Sequence, residues 1–269
     1  MKKIKHIFAV ALTVMLGGAA LCGNAMPARG DTYCDDGIEL LADLSSVTIE
    51  YENRDEDMFR MVLRHPYYAS TPYVAACACV AGSNVIGFYD RYDENLIPDH
   101  EAGYYFSGQY LYSIEDSAVT AVTRQLYADM GTNNSGTTVT EFKDGMRTYC
   151  TRKGKSISFS SCMKNGQFDY ETAKNYMRAN QPVVLFCSGY NVVDSFLSEK
   201  SENIDYYESG ANHVMVGFGY KIVDYTLSTG AALHYEYVTV ASGVDGKPKG
   251  FYDINRNTKI NDAIAINIY

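Results

Sequence analysis

Cys77-Ala78-Cys79-Val80-Ala81-Gly82-Ser83-Asn84-Val85-Ile86-Gly87-Phe88-Tyr89-Asp90 and, far downstream, Asn212-His213-Val214-Met215-Val216-Gly217-Phe218-Gly219-Tyr220 are the two stretches on which the reading of this chain turns. The first is apolar and rich in small residues, the composition of a helix packed closely on several sides. The second is a short apolar run entered through Ser209-Gly210-Ala211-Asn212, which reads as a buried strand after a turn.

Working outward, the first half of the chain carries helix signals. Ser113 and Asp116 open a helix to about Met130, and residues 131–136 form a loop. Thr138 or Thr140 caps a helix ending near Gly154, and Asp169 caps another that stops before Pro182. The second half carries strand signals at 182–186, 213–220, 235–241, 251–254 and 263–269, with a hairpin at Ser228-Thr229-Gly230. Helices first and antiparallel strands afterwards predict an α+β fold.

The 269 residues are 46% hydrophobic and carry 23 Lys plus Arg against 32 Asp plus Glu, a net charge of −9. That apolar fraction supports a packed core, and the acidic balance argues against nucleic acid or an anionic lipid surface as partner. Residues 1–25 read as a secretory signal: Lys2, Lys3 and Lys5 precede an apolar run, and Gly23-Asn24-Ala25 offers a cleavage site. Residues 26–62 are polar and acidic, an N-terminal extension or short pro-segment, and 63–269 read as one domain without linker or repeat. The expectation is a secreted bacterial protein with no membrane contact after signal cleavage.

Two residues stand out for chemistry. A helix N-terminus stabilises thiolate over thiol, and Cys77 opens a helix whose small neighbours leave room for a substrate backbone. His213 begins an apolar strand, a rigid place for a general base, whereas His65, His100 and His234 lie in polar or proline-flanked segments. Cys79 is the rival nucleophile, but two helical positions lie about 200° apart, so both cannot face one cleft. Cys150 and Cys162 are the easiest cysteines to imagine as a disulfide. No zinc-type spacing or calcium loop is present, and nothing implies a cofactor.

Residues 77–90 resemble the nucleophile helix of papain-fold cysteine peptidases of the bacteriocin-leader-processing (double-glycine peptidase-like) group. Residues 212–220 are similar to that family's base strand, and 136–154 to its intervening segment. The 136 residues from Cys77 to His213 match the papain order, in which the base follows ~130–150 residues after the cysteine. The resemblance implies a papain-like fold, peptide or protein substrates, and hydrolysis through a Cys77–His213 thiolate–imidazolium pair. It places the oxyanion hole at the Cys77 backbone and, where the family carries Gln, at Ser70 or Thr71. The third catalytic position falls on Ala241, with Ser242 beside it and Asp245 the nearest carboxylate. These departures leave two further readings open: an inactive peptide-binding domain, and a thiol acyltransferase or transamidase.

Overall fold

The computed structural model describes residues 32–33, 43–61, 73, 75–93, 95–97, 104–106, 109–111, 117–244, 247–256 and 259–269. The expected signal segment, Cys34, His65, Ser70, Thr71, His100 and Asp245 lie outside these residues. In chain order the elements are β1 (Thr32–Tyr33), β2 (Asp43–Glu50), β3 (Asn53–Arg60), α1 (Cys77–Asp90), β4 (Tyr104–Phe106), β5 (Gln109–Leu111), α2 (Ser117–Asp129), β6 (Thr137–Thr138), α3 (Val139–Arg152), β7 (Ile157–Ser161), β8 (Met163–Lys164) and β9 (Gln167–Phe168). Then follow α4 (Tyr170–Arg178), β10 (Val183–Ser198), β11 (Ser201–Thr226), β12 (Ala232–Val244), β13 (Lys247–Asp253) and β14 (Lys259–Ile268).

Helix starts follow their caps. Thr138 and Glu141 form a reciprocal capping box on α3, and the Asp169 carboxylate accepts from the Thr172 N–H at 3.1 Å at the head of α4. α1 is buried along its whole length because its small residues let neighbours close in. A Cβ placed on Gly82 would stand 2.9 Å from Leu126 Cδ1 and 3.0 Å from Met146 Sδ, so α2 and α3 both use that notch.

All pairing in the main sheet is antiparallel. β10, β11, β12 and β13 form a ring, closed where Val193 of β10 pairs with Phe251 of β13. β14 continues from β10 to β7, while β2 and β3 add to different halves of β11. The larger core lies between the helices and the first half of β10, with β14 and the middle of β11. A second core fills the barrel with Ile49, Val193, Ile204, Tyr206, Val223, Tyr225 and Tyr237.

The α+β papain-like arrangement expected from the sequence is overturned by this architecture. The molecule is mostly β, 52% strand against 26% helix, and its sheet closes into a barrel. The apolar runs mark only the segments of β10 and β11 in the larger core. Beyond them the strands continue through polar residues, because the barrel needs one inward residue in two and tolerates polar ones outward. Residues 43–50 and 53–60, within the acidic extension, form β2 and β3 for the same reason.

One inward residue is a charge. Glu202 is only 1% exposed, and its carboxylate accepts from the Tyr225 hydroxyl at 2.7 Å, Arg54 Nε at 2.8 Å and Lys221 Nζ at 3.3 Å. Lys221 Nζ also donates to Ser195 Oγ at 3.2 Å. Burial alone would raise the Glu202 carboxyl, but the Tyr225 hydroxyl, the Lys221 charge and Arg54 together hold it below the ordinary glutamate range. A carboxyl depressed by folding stabilises the fold above its unfolded value of about 4.3, and that contribution is lost as pH falls through the depressed value. Acid unfolding, followed by tyrosine fluorescence in this Trp-free chain, should therefore begin below about pH 4. Glu202→Gln should lower stability at pH 7 by about 3 kcal/mol, since it leaves buried cations uncompensated, and should flatten the acid limb.

Gly219 is where β3 crosses closest to β11. A Cβ there would sit 2.3 Å from the Phe59 carbonyl oxygen and 2.8 Å from the Arg60 Cα, both backbone atoms that cannot swing aside. Gly219→Ala should cost about 1–3 kcal/mol in urea unfolding. Gly210→Ala, with open space around it, is the matched control and should change the midpoint little.

Candidate functional site

The chain reaches α1 through a strained residue. Ala75 is fully buried at φ 56°, a left-handed conformation that costs a non-glycine residue about 1–2 kcal/mol. Ala76 then serves as the N-cap without any side-chain hydrogen bond, and Cys77 is the first helical residue. The first-turn N–H groups of a helix are not taken up by its own carbonyls, so this end of α1 presents backbone donors and partial positive charge beside the Cys77 sulfur. Cys77 is 7% exposed.

His213 lies in the middle of β11, directly opposite Cys187 of β10. Two register shifts flank it. At Ser188/Tyr190 the β10–β11 ladder slips by one residue at Gly189, and Tyr190 lands on the imidazole with ring centroids 4.3 Å apart and planes 28° from parallel. At Ala241/Val244 the β12–β13 ladder slips around Gly243, φ 71°, and the Ser242 carbonyl turns from the ladder to the imidazole. His213 Nε2 donates to that carbonyl oxygen at 2.6 Å. A carbonyl can only accept, so in the neutral ring Nε2 carries the hydrogen and Nδ1 is the nitrogen that accepts a proton. Bulges commonly re-aim groups in this way beside functional sites.

The second bulge also meets α1. A Cβ on Gly243 would lie 3.4 Å from Val80 Cγ1, one helical turn after Cys77. Cys187 ties the parts together: burial pushes its thiol up to about 12, the Tyr252 hydroxyl pulls it partly back, and the Cys77 charge pushes it further up.

The remaining cysteines serve packing. Cys79 Sγ lies 3.3 Å from Thr132 Oγ1 and 3.8 Å from Met130 Sδ, and burial pushes its thiol up to about 11. Cys150 and Cys162 are separate buried thiols, each raised to about 12, and form no disulfide. Among the described residues no group of three His, Cys, Asp or Glu side chains is arranged to hold a metal ion, and no helix is long and apolar enough to cross a membrane.

No protein-family model, no curated protein and no solved structure matches this chain. The site is therefore argued from its own geometry. Ser242 contacts the imidazole, but by its carbonyl; its hydroxyl accepts from the Val244 N–H at 3.0 Å instead. Tyr190 and Cys187 belong to the site and were not singled out by the sequence. Their one signal is Ser188-Gly189, which breaks an apolar strand as a bulge does.

Because the orienting group is a backbone atom, Ser242→Ala should leave the tautomer unchanged. Long-range 1H–15N correlation at neutral pH should show the His213 hydrogen on Nε2 in both proteins. A shift to Nδ1 in the variant would mean that the hydroxyl, not the carbonyl, fixes the ring.

Proposed function

We propose that the chain is a secreted cysteine peptidase acting on peptide or protein substrates, with Cys77 as nucleophile and His213 as base. The observation that carries this reading is the imidazole itself: Nε2 is engaged by Ser242, Nδ1 is the basic nitrogen, and the ring sits on the strand packed against the helix that Cys77 opens. The likeness of residues 77–90 and 212–220 to a peptidase nucleophile helix and base strand supports the same assignment.

The chemistry follows from these groups. The Cys77 thiolate attacks the peptide carbonyl carbon, and the oxyanion is met by the Cys77 backbone N–H at the head of α1. His213 delivers the Nδ1 proton to the leaving amine. Water, deprotonated by the same nitrogen, then hydrolyses the thioester. Tyr190, stacked on the ring with centroids 4.3 Å apart, fixes the plane of the imidazole. The rate falls at acid pH as the thiolate takes up its proton.

Limiting iodoacetamide near pH 6, followed by peptide mass spectrometry, tests the pair, since an ordinary thiol is almost wholly protonated there. Cys77 should label first, and His213→Ala should slow that labelling at least tenfold. Hydrolysis of a peptide library should fall by about 10³-fold or more in Cys77→Ser. Hydrolysis that survives Cys77→Ser overturns the assignment, and Cys77 labelling no faster than in the unfolded chain overturns its activation.

A further inference from the structure

Among the described residues, β10 and β13 share a single backbone pair, Val193 with Phe251. Two residues nearer the Gly189 bulge, the antiparallel register brings Asn191 opposite Asp253. There a side chain supplies the rungs. Asn191 Nδ2 donates to the Asp253 carbonyl oxygen at 3.1 Å, and the Asp253 N–H donates to Asn191 Oδ1 at 2.8 Å. These two bonds fix which way the amide points, because a carbonyl can only accept and an N–H can only donate. Asn191 is completely buried. An amide offers a donor and an acceptor on one plane, which neither an ionised aspartate nor a leucine of similar size does.

The clamp acts on the residue before it. Gly189 sits at φ 68°, and the β10–β11 ladder jumps from Ser188–Asn212 to Tyr190–Ser209. β10 is thus interrupted on its β11 side just before Tyr190. Successive residues of a strand face opposite ways. Asn191 turns to Asp253 on the barrel side, and Tyr190 turns into the larger core onto the His213 ring.

We infer that Asn191 is a positioning residue of the site: by tying β10 to β13 just after the bulge, it holds Tyr190 against the His213 imidazole. The inference deepens the proposed function and rests on His213 being its base. Without the clamp, β10 pivots at Gly189, Tyr190 leaves the ring, and the imidazole turns about its bond to the Ser242 carbonyl. A misplacement of about 1 Å costs as much as 10²-fold in rate. Asn191 and Tyr190 take no part in substrate binding as proposed, so the loss falls on kcat and leaves KM.

The test uses Asn191→Leu, which keeps the size and removes both bonds, and Asn191→Thr, which suits a strand and keeps one hydroxyl. Tyr190→Leu removes the stack, Tyr190→Phe retains it, and Gly219→Ala is destabilised elsewhere. The first readout is the His213 ring-proton spectrum, in which a stacked aromatic face moves the signals upfield. That upfield shift should be present in the parent, Tyr190→Phe and Gly219→Ala. It should be lost in Tyr190→Leu and Asn191→Leu and reduced in Asn191→Thr. The second readout is peptide hydrolysis, where kcat should fall about 10- to 100-fold in Asn191→Leu with KM within about twofold of the parent. In the double variant of Tyr190→Leu with Asn191→Leu the two losses should not multiply, because both remove one contact. An upfield shift retained in Asn191→Leu, or losses that multiply in the double variant, overturns the inference. Where the leucine variant does not fold, Asn191→Thr decides by the same criteria. The two readings fail separately. An upfield shift lost in Asn191→Leu, in a protein that hydrolyses no peptide, rejects the peptidase and keeps the positioning role. Full hydrolysis by both Asn191 variants with the shift intact keeps the peptidase and rejects the positioning role.

Discussion

β11 must satisfy the backbone hydrogen bonds of 26 residues against four partners in turn. Its first part lies between β10 and β2, its middle runs along β10 until β12 joins at Val216, and its last part lies between β12 and β3. No straight strand can do this. The direction changes are absorbed at Gly210-Ala211 and at Gly217-Phe218-Gly219, where the register slips. Once β11 is bent, the ring of β10 to β13 closes, the barrel core forms, and the wider core is left as a platform for the helices.

The candidate site is a by-product of that bending. His213 sits just past the slip between β10 and β11, and the slip between β12 and β13 lies beside it. One displacement lays Tyr190 on the ring; the other frees the Ser242 carbonyl to hold Nε2. The imidazole is thus fixed by an aromatic face and a main-chain oxygen, neither of which titrates near neutral pH. The strain on the opposite side sits at Ala75, where the chain turns into α1 so that the helix begins at Cys77. Both halves of the site spend local backbone comfort on position, and the surrounding buried packing holds them there.

How much of this was written plainly in the sequence depends on the kind of signal. Thr138 with Glu141, and Asp169 with Thr172, announce helix starts because capping uses local side chains. Strand ends were concealed because the period-2 pattern is broken on both faces: Glu202 and Lys221 point inward, while Phe196 and Leu197 are 57% and 60% exposed near the β10–β11 turn. The acidic residues of β3 likewise read as an extension although they pair with β11. Cys77 and His213 were legible from residue type and surroundings. Tyr190, Cys187 and the Ser242 carbonyl were not, since a bulge decides their roles and a main-chain atom has no side-chain signature.

The pairing pattern also sets when the molecule can exist. β2 and β3 wait for partners roughly 150–170 residues later in the chain, and β7 and the apolar part of β10 both wait for β14. Until β11 has been made the N-terminal strands have no edge to join, and until β13 follows the ring cannot close. Such long-range pairing makes folding slow and late. A growing chain of this design carries its first two long strands unpaired until β11 emerges to receive them.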